Sequence, residues 1–433
     1  LFEPKTDERI LIKIDRINQY GNGVSNYKDY IVEIPRSHPG ESIKARIVRI
    51  NSEKKIITAY IEEILSRQDR VDNCSIKNCL FCKTPDLSRE KKIEIKKEIV
   101  KKFDIGFITY KKDFNFKNYV TLNSRFLDKL KLGFFDKNSY NLIDTTDCPL
   151  YTEELRMMIK KISDSLNSMD DDIKKSIDKV RFYYSDYEKT SMCVIDIYKK
   201  DMDSIKNNID LDVTSLYVKT KRLSLIKGEK FIIDKLDNDI KFRIDPYNAI
   251  EENAYLQISL EVIDSILKNI SPKKIMVIHG KNGLSTILSS RYAKIVYSVE
   301  KGLSLSRDIL FNIKLNRTEN VVLFNDTIEN VGQKNKDIFE EIDTVILHSI
   351  TEEDTKIIDF LANFGLKNII VCTFLDEANK YIKKLEEHNF YLNKNLSFAI
   401  DKEPHNYFID AILLFTKGKI KVKIKNEIIR IKK

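Results

Sequence analysis

The sequence predicts a multidomain chain in three parts. These are a small N-terminal β-barrel over residues 1–65, a central α+β domain over 66–245, and a C-terminal doubly wound α/β sheet over 246–433. Three observations predict it. Short alternating runs broken by Gly and Pro fill the first part. Closely spaced cysteines open the second, which mixes strand-like runs with one long amphipathic stretch. From about residue 254 helix-like and strand-like segments alternate. A chain of 433 residues is long enough for three such cores.

In the first part ILIKIDRIN alternates, Gly21 and Gly23 flank an expected tight turn, and DYIVEIP alternates again. HPGE makes a second turn, and SIKARIVRI and KIITAYIEEIL complete the set. Short strands at this spacing close most simply into a barrel.

The cysteines come next. Cys74, Cys79 and Cys82 lie in CSIKNCLFC, and Cys148 follows in DCPLY. Three thiolates in a short loop suit three irons of a 4Fe-4S cubane, with a distant fourth ligand brought in by the fold. Four thiolates also satisfy a tetrahedral zinc site, the alternative. With six cysteines in 433 residues, three within nine positions are unlikely to be core thiols that fell together by chance. Cysteines kept for metal rather than for disulfides suit a reducing compartment, so a cytoplasmic location is expected. No stretch has the apolar length of a membrane span, which excludes a helical membrane protein from the expectation. The 75 basic against 66 acidic residues leave a net charge of +9, which favours a polyanionic partner.

The segment LSREKKIEIKKEIVKKF carries Ile93, Ile95, Ile99 and Val100 at helical spacing among lysines, and predicts a solvated basic helix beside the cysteine loop. The central part then offers strand-like runs and an amphipathic stretch from Glu153 to Lys179. Cys193 sits among apolar strand residues as a core thiol. In the last part the helix AYLQISLEVIDSILKNI leads into the strand KIMVIHG, a turn over Gly280 and Gly283, and the strand KIVYSVE ending in Glu300. Further on come a helix, the strands VVLFND and DTVILHS, another helix and the strand NIIVCTF. Glycines after a first strand let backbone approach a ligand, and an acid closing the second accepts from both hydroxyls of a ribose. An adenosine-bearing ligand such as S-adenosylmethionine is expected there. The five histidines show no metal-ligand spacing.

Gly21-Asn22-Gly23-Val24, Pro35 and Pro39-Gly40-Glu41 resemble the pattern of the RNA-binding TRAM domain, an OB-like barrel. A TRAM barrel, a cysteine-ligated domain and a class I methyltransferase sheet, in that order, resemble the RNA uracil-C5 methyltransferase family. In that family a 4Fe-4S cluster is held by Cys-x5-Cys-x2-Cys and a later Cys; the first gap here is four residues. The resemblance implies S-adenosylmethionine as methyl donor, a structured rRNA or tRNA as partner, and a monomer. It maps the nucleophile onto Cys372 in IIVCTFLDEANKYI and the base onto Asp410 in PHNYFIDAILLF. Donor-site positions fall on Glu251, Gly280, Gly283, Glu300 and His348.

C5 of uracil is a poor nucleophile. A thiolate added at C6 makes C5 enolate-like and able to attack a methyl donor; a base then removes the C5 proton and the thiol leaves. The chain departs from the family in several places. Glu251 stands for a Gln, Met276 for an Asp, and Asp410 for a Glu. His348-Ser349-Ile350-Thr351 replaces a DPPR run, and Thr373-Phe374 replaces Asn-Pro after the nucleophile. A catalytically degenerate member acting as an RNA-binding or assembly factor is the alternative.

Overall fold

The computed structural model describes residues 3–18, 21–66, 74, 76, 79, 81–84, 86–135, 141–198, 209–247, 253–348 and 354–418. The first strands are β1 (Arg9–Lys13), β2 (Arg16–Ile17), β3 (Asn22–Tyr27), β4 (Tyr30–Pro35), β5 (Ser42–Asn51) and β6 (Ile56–Ser66). They pair in the order β1-β5-β6-β4-β3-β2. Only two residues separate β1 from β2, and the Asp15 N–H donates to the Val24 carbonyl at 3.0 Å, so the sheet curls. Alternation puts Ile10, Val32, Ile34, Ile43, Ile47 and Ile57 inside. Gly23 does not flank a turn as expected but lies within β3, where a Cβ would stand 2.0 Å from Ser37 Oγ. That close approach is why glycine is needed there.

The helix Arg89–Lys101 follows the cysteine loop and is not the solvated helix expected from its lysines. Lys92 and Lys96 are buried, Lys92 Nζ at 2.8 Å from Asp113 and Lys96 Nζ at 2.6 Å from Asp401. Next come β7 (Gly106–Thr109), β8 (Tyr119–Phe126), β9 (Leu130–Phe135), β10 (Leu142–Asp144), β11 (Ile177–Ser185), β12 (Thr190–Ile197), β13 (Ser215–Lys219) and β14 (Leu223–Gly228). Strands β8 to β14 form a sheet in the order β10-β9-β8-β11-β12-β13-β14. The hairpin β15 (Ile232–Lys235) and β16 (Lys241–Ile244) stands beside it.

The helix Glu153–Asn167 lays Leu155, Ile159, Ile162 and Leu166 on the core of this sheet, with the Thr152 hydroxyl capping its start. The expected amphipathic stretch does not run on to Lys179. Asn167 turns its side-chain amide onto both backbone groups of Leu130, the acids Asp171 and Asp172 start a separate helix Asp171–Ser176, and Ile177 begins β11. Cys193 on β12 is fully buried, as expected.

The last strands are β17 (Lys274–Ile278), β18 (Ile295–Glu300), β19 (Val321–Asn325), β20 (Thr344–His348), β21 (Asn368–Phe374), β22 (Phe390–Leu392), β23 (Phe398–Asp401) and β24 (Asp410–Lys417). Their order is β19-β18-β17-β20-β21-β24-β23-β7, with β22 beside β24. The first five run parallel and β24 runs against them. Apolar cores cover both faces. Helices Ile328–Lys334 and Lys336–Glu341 fill the crossover from β19 to β20, which the sequence reading passes over without a helix. Strand β7 comes from the middle of the chain, so the sheet is not built from C-terminal residues alone.

Candidate active site and cysteine pocket

The order of β17 to β21 reverses direction at β17, and ligands of such sheets bind at the carboxyl ends of the strands beside that point. After β17 the backbone bends sharply: His279, Lys281 and Gly283 all have positive φ, 58°, 53° and 82°. The Gly283 N–H closes the turn on the Gly280 carbonyl at 2.9 Å. A side chain at Gly283 would be strained by its φ and pressed on Ile309. Asn312 Nδ2 donates to the Asn282 carbonyl at 2.9 Å and holds the turn from the helix Leu303–Leu315.

Glu300, closing β18, is buried and accepts from the Lys281 N–H at 2.8 Å. Burial pushes its carboxyl up to about 7, against the pull of that N–H and of the Lys281 charge. His348, closing β20, lies opposite Cys372 in register, and its Nε2 is 3.0 Å from Ser285 Oγ. Cys372 is partly buried on β21, and burial pushes its thiol up to about 12. The Lys402 and Lys281 charges oppose that rise and Asp410 adds to it. Asp410 opens β24 opposite Phe374, two residues past Cys372, with its carboxylate 2.5 Å from Lys402 Nζ.

Gly280, Gly283, Glu300, His348, Cys372 and Asp410 are therefore all at the carboxyl ends of β17, β18, β20 and β21 or at the adjoining start of β24. Glu251 lies outside the described residues. Its neighbour Asn253 accepts from the Tyr183 hydroxyl at 2.8 Å and donates to Asp234 at 2.7 Å, clasping the central sheet to the helix Asn253–Ile270. Met276 is fully buried in the core below the sheet. Lys281, Ser285 and Lys402 were missed from the sequence. Lys281 and Lys402 are isolated lysines in a lysine-rich chain, and nothing in their spacing distinguishes them.

The four cysteines Cys74, Cys79, Cys82 and Cys148 line one pocket together with Phe114, Phe134, Leu150, Arg36 and His405. Cys148 occupies a turn in which its N–H donates to the Thr145 carbonyl at 3.2 Å, just ahead of the Thr152 cap. Phe81 stacks on Phe134 at 4.6 Å and pins the cysteine loop to β9. The sulfur of Cys79 accepts from the backbone N–H groups of Phe81 and Cys82, and that of Cys148 from Leu150. Burial, then the neighbouring cysteines, raise Cys82 and Cys148, the latter to about 11. Lys117 counters this, and Arg36 counters the rise that burial brings to Cys79. Among the described residues no group of three or more His, Cys, Asp or Glu is arranged so that it could hold a metal ion. The four cysteines nevertheless share one pocket.

The chain is 24% identical to an uncharacterised RNA methyltransferase of Fusobacterium nucleatum, covering 95% of this chain and 97% of that one. It is 20% identical to the 23S rRNA (uracil(1939)-C(5))-methyltransferase of Vibrio campbellii, covering 96% and 99%. This chain is a relative of RNA methyltransferases. No protein-family model matches it. The crystal structure of the Pyrococcus abyssi tRNA (uracil-54, C5)-methyltransferase, in complex with S-adenosyl-L-homocysteine, superposes with a TM-score of 0.71 at 16% identity. That match covers 94% of this chain and the whole of the other, so the two share a fold.

Proposed function

We propose that the chain methylates C5 of uridine in ribosomal or transfer RNA, with S-adenosylmethionine as donor. The observation that carries the reading is the shared face of Cys372 and Asp410, on neighbouring antiparallel strands at the strand ends where Glu300 and the Gly280–Gly283 turn also lie. Glu300 accepts from the ribose hydroxyls of the donor, and the glycine turn admits its backbone-facing side. The donor, when bound, supplies an electrophilic methyl group. Cys372 adds to C6 of the uracil as thiolate, with Lys402 and Lys281 offsetting the cost of that charge. C5 then takes the methyl, leaving the donor as its neutral thioether; Asp410 takes the proton from C5, and the Cys372–C6 bond breaks, returning the thiolate.

The curled N-terminal sheet acts as a TRAM barrel of OB-like form that grips flanking RNA. The sequence divides at 1–65, 66–245 and 246–433, with β7 lent by the middle domain to the last. Cys74, Cys79, Cys82 and Cys148 hold a 4Fe-4S cluster. Four thiols around one pocket, with backbone N–H groups aimed at two sulfurs, fit thiolates spread over separate irons. Zinc, the alternative, needs the sulfurs to converge tetrahedrally on one ion. A Cys148→Ala chain purified without air loses the iron content and visible absorbance of the native chain; zinc and no iron in the native chain would overturn the cluster.

The activity itself is tested with RNA carrying 5-fluorouridine, which traps the adduct because fluorine cannot leave as the C5 proton does. The native chain forms a covalent complex in the presence of donor and Cys372→Ala does not. A native chain that binds the RNA and forms no adduct would return the alternative reading, a catalytically degenerate RNA-binding or assembly factor. That alternative draws on His348, which is engaged with Ser285 where the resembled family has an acid.

A further inference from the structure

Phe374 is 58% exposed and Phe408 is 49% exposed, in a fold that buries Phe182, Phe339, Phe390 and Phe415 almost completely. Neither exposed ring belongs to any of the hydrophobic clusters among the described residues. Their positions are set by the β21–β24 ladder. Phe374 pairs with Asp410, and the ladder runs one step further, with the Leu375 N–H donating to the Ile409 carbonyl at 2.9 Å. Leu375, Ile409, Ala411 and Val371 point into the core below the sheet. By alternation Cys372, Phe374 and Asp410 face the other way, and Phe408, just ahead of β24, is separated from Asp410 only by the core residue Ile409. Phe374 thus lies opposite Asp410 on the face that carries Cys372, and Phe408 is exposed two residues before Asp410.

We propose that Phe374 and Phe408 form a stacking platform for an unpaired RNA base next to the reacting nucleotide; this rests on the reading of Cys372 and Asp410 as the reactive pair. Exposed aromatic rings bind bases of any identity through their faces. The surroundings favour a nucleobase over an apolar protein segment. Asp410, opposite Phe374 and two residues past Phe408, is ion-paired with Lys402, which breaks any continuous apolar area between the rings, and the Lys402 and Lys281 charges suit a phosphate backbone. An apolar partner would have to bury that ion pair at a cost a nucleic acid avoids. The rings are also close enough to the reactive groups that the stacked base lies within a nucleotide or so of the target.

The test uses the full chain and a single-stranded uridine-containing RNA with 2-aminopurine beside the target position. Phe374→Ala and Phe408→Ala each weaken binding roughly fivefold or more, and abolish the quenching of 2-aminopurine that stacking produces. Phe→Tyr at either site keeps both, and Phe→Leu behaves as Ala. The native unfolding transition is retained in all variants, because both rings are exposed. Leucine variants with native affinity, or alanine variants with native quenching, would overturn the platform. So would alanine variants that change self-association and leave RNA binding alone. The outcome is separable from that of the methyltransfer reading. Cys372→Ala still binds and quenches if the platform is real, and a native chain that quenches without forming an adduct keeps the platform while losing the chemistry.

Discussion

Glu300 carries the sharpest pH dependence in the site. Its carboxyl is raised from 4.5 to about 7 in the fold, so the folded chain holds this proton more tightly than the unfolded one. The group's full contribution is present below pH 4.5, and stability falls as pH rises from there to about 7, by about 3 kcal/mol. Glu300→Gln removes this loss, since an amide oxygen still accepts from the Lys281 N–H. The variant is expected to be more stable than the native chain at pH 8 and equal to it near pH 4.5, as read by urea titration at both values. Ligand binding moves the other way. The ionised carboxylate is the better acceptor for ribose hydroxyls, so affinity for S-adenosylmethionine should rise through pH 7 in the native chain and stay flat and weak in Glu300→Gln. Calorimetry between pH 5.5 and 8.5 that finds equal slopes for both would remove Glu300 from the donor site. Cys372, raised to about 12, gives a second pH signature: adduct formation with 5-fluorouridine RNA should speed up by as much as tenfold per pH unit between 6.5 and 8.5 as the thiolate fraction grows. Lys402→Met should slow it at every pH in that window. At this scale the sequence was informative where a residue's type is dictated by backbone, as with Gly283 and Glu300 at a strand end. It was silent on Lys281 and Lys402, whose role depends on being near a thiol 91 and 30 residues away in the chain.

The helix Arg89–Lys101 shows the same limit for an element. Its periodicity was legible and its extent was found; its exposure was misjudged, because lysines at helical spacing look like a solvated face. The partners that let Lys96 be buried are Asp401 and the carbonyls of Glu403 and Pro404, some three hundred residues on. No local pattern reveals them. Burial lowers Lys96 and raises Asp401, while each draws the other toward its charged form. Such a pair gains little over apolar packing, yet leaves an expensive charge if one partner goes. Lys96→Met alone should therefore cost roughly 3–5 kcal/mol, and Lys96→Met with Asp401→Leu clearly less, as measured by urea unfolding. A double variant no better than the single would mean that the lysine stem, rather than the ion pair, holds the helix. The break after Asn167 was likewise hidden, because what stops the helix is the backbone of Leu130 in another element.

The segment from Asp401 to Asp410 joins the parts of the molecule. Asp401 is tied to Lys96, the His405 carbonyl accepts from Lys83 and Thr84 beside the cysteine loop at 2.8 and 3.0 Å, and the Tyr407 hydroxyl is 3.0 Å from His38 of the curled N-terminal sheet. The segment then delivers Asp410 to the face of the sheet that carries Cys372. The curled N-terminal sheet, the parallel C-terminal strands and the grouping of the four cysteines were legible from alternation, spacing and order of parts, all short-range signals. That one strap of chain fastens them together was not, since each tie is a contact between distant stretches. Loss of the proposed cluster should therefore be felt beyond the pocket. With the thiols no longer held by metal, the loop that anchors His405 is loosened, and Asp410 loses its fixed approach. Removing the proposed metal with chelator and oxidant should lower the unfolding midpoint by several degrees and depress adduct formation at Cys372 far more than the affinity for S-adenosylmethionine, whose proposed contacts lie at the ends of β17 and β18. Equal losses in both would indicate general unfolding of the sheet. An unchanged adduct rate in a metal-free, folded chain would show that the strap holds Asp410 through Lys96 and Tyr407 alone, with the cysteine loop contributing nothing to the reactive face.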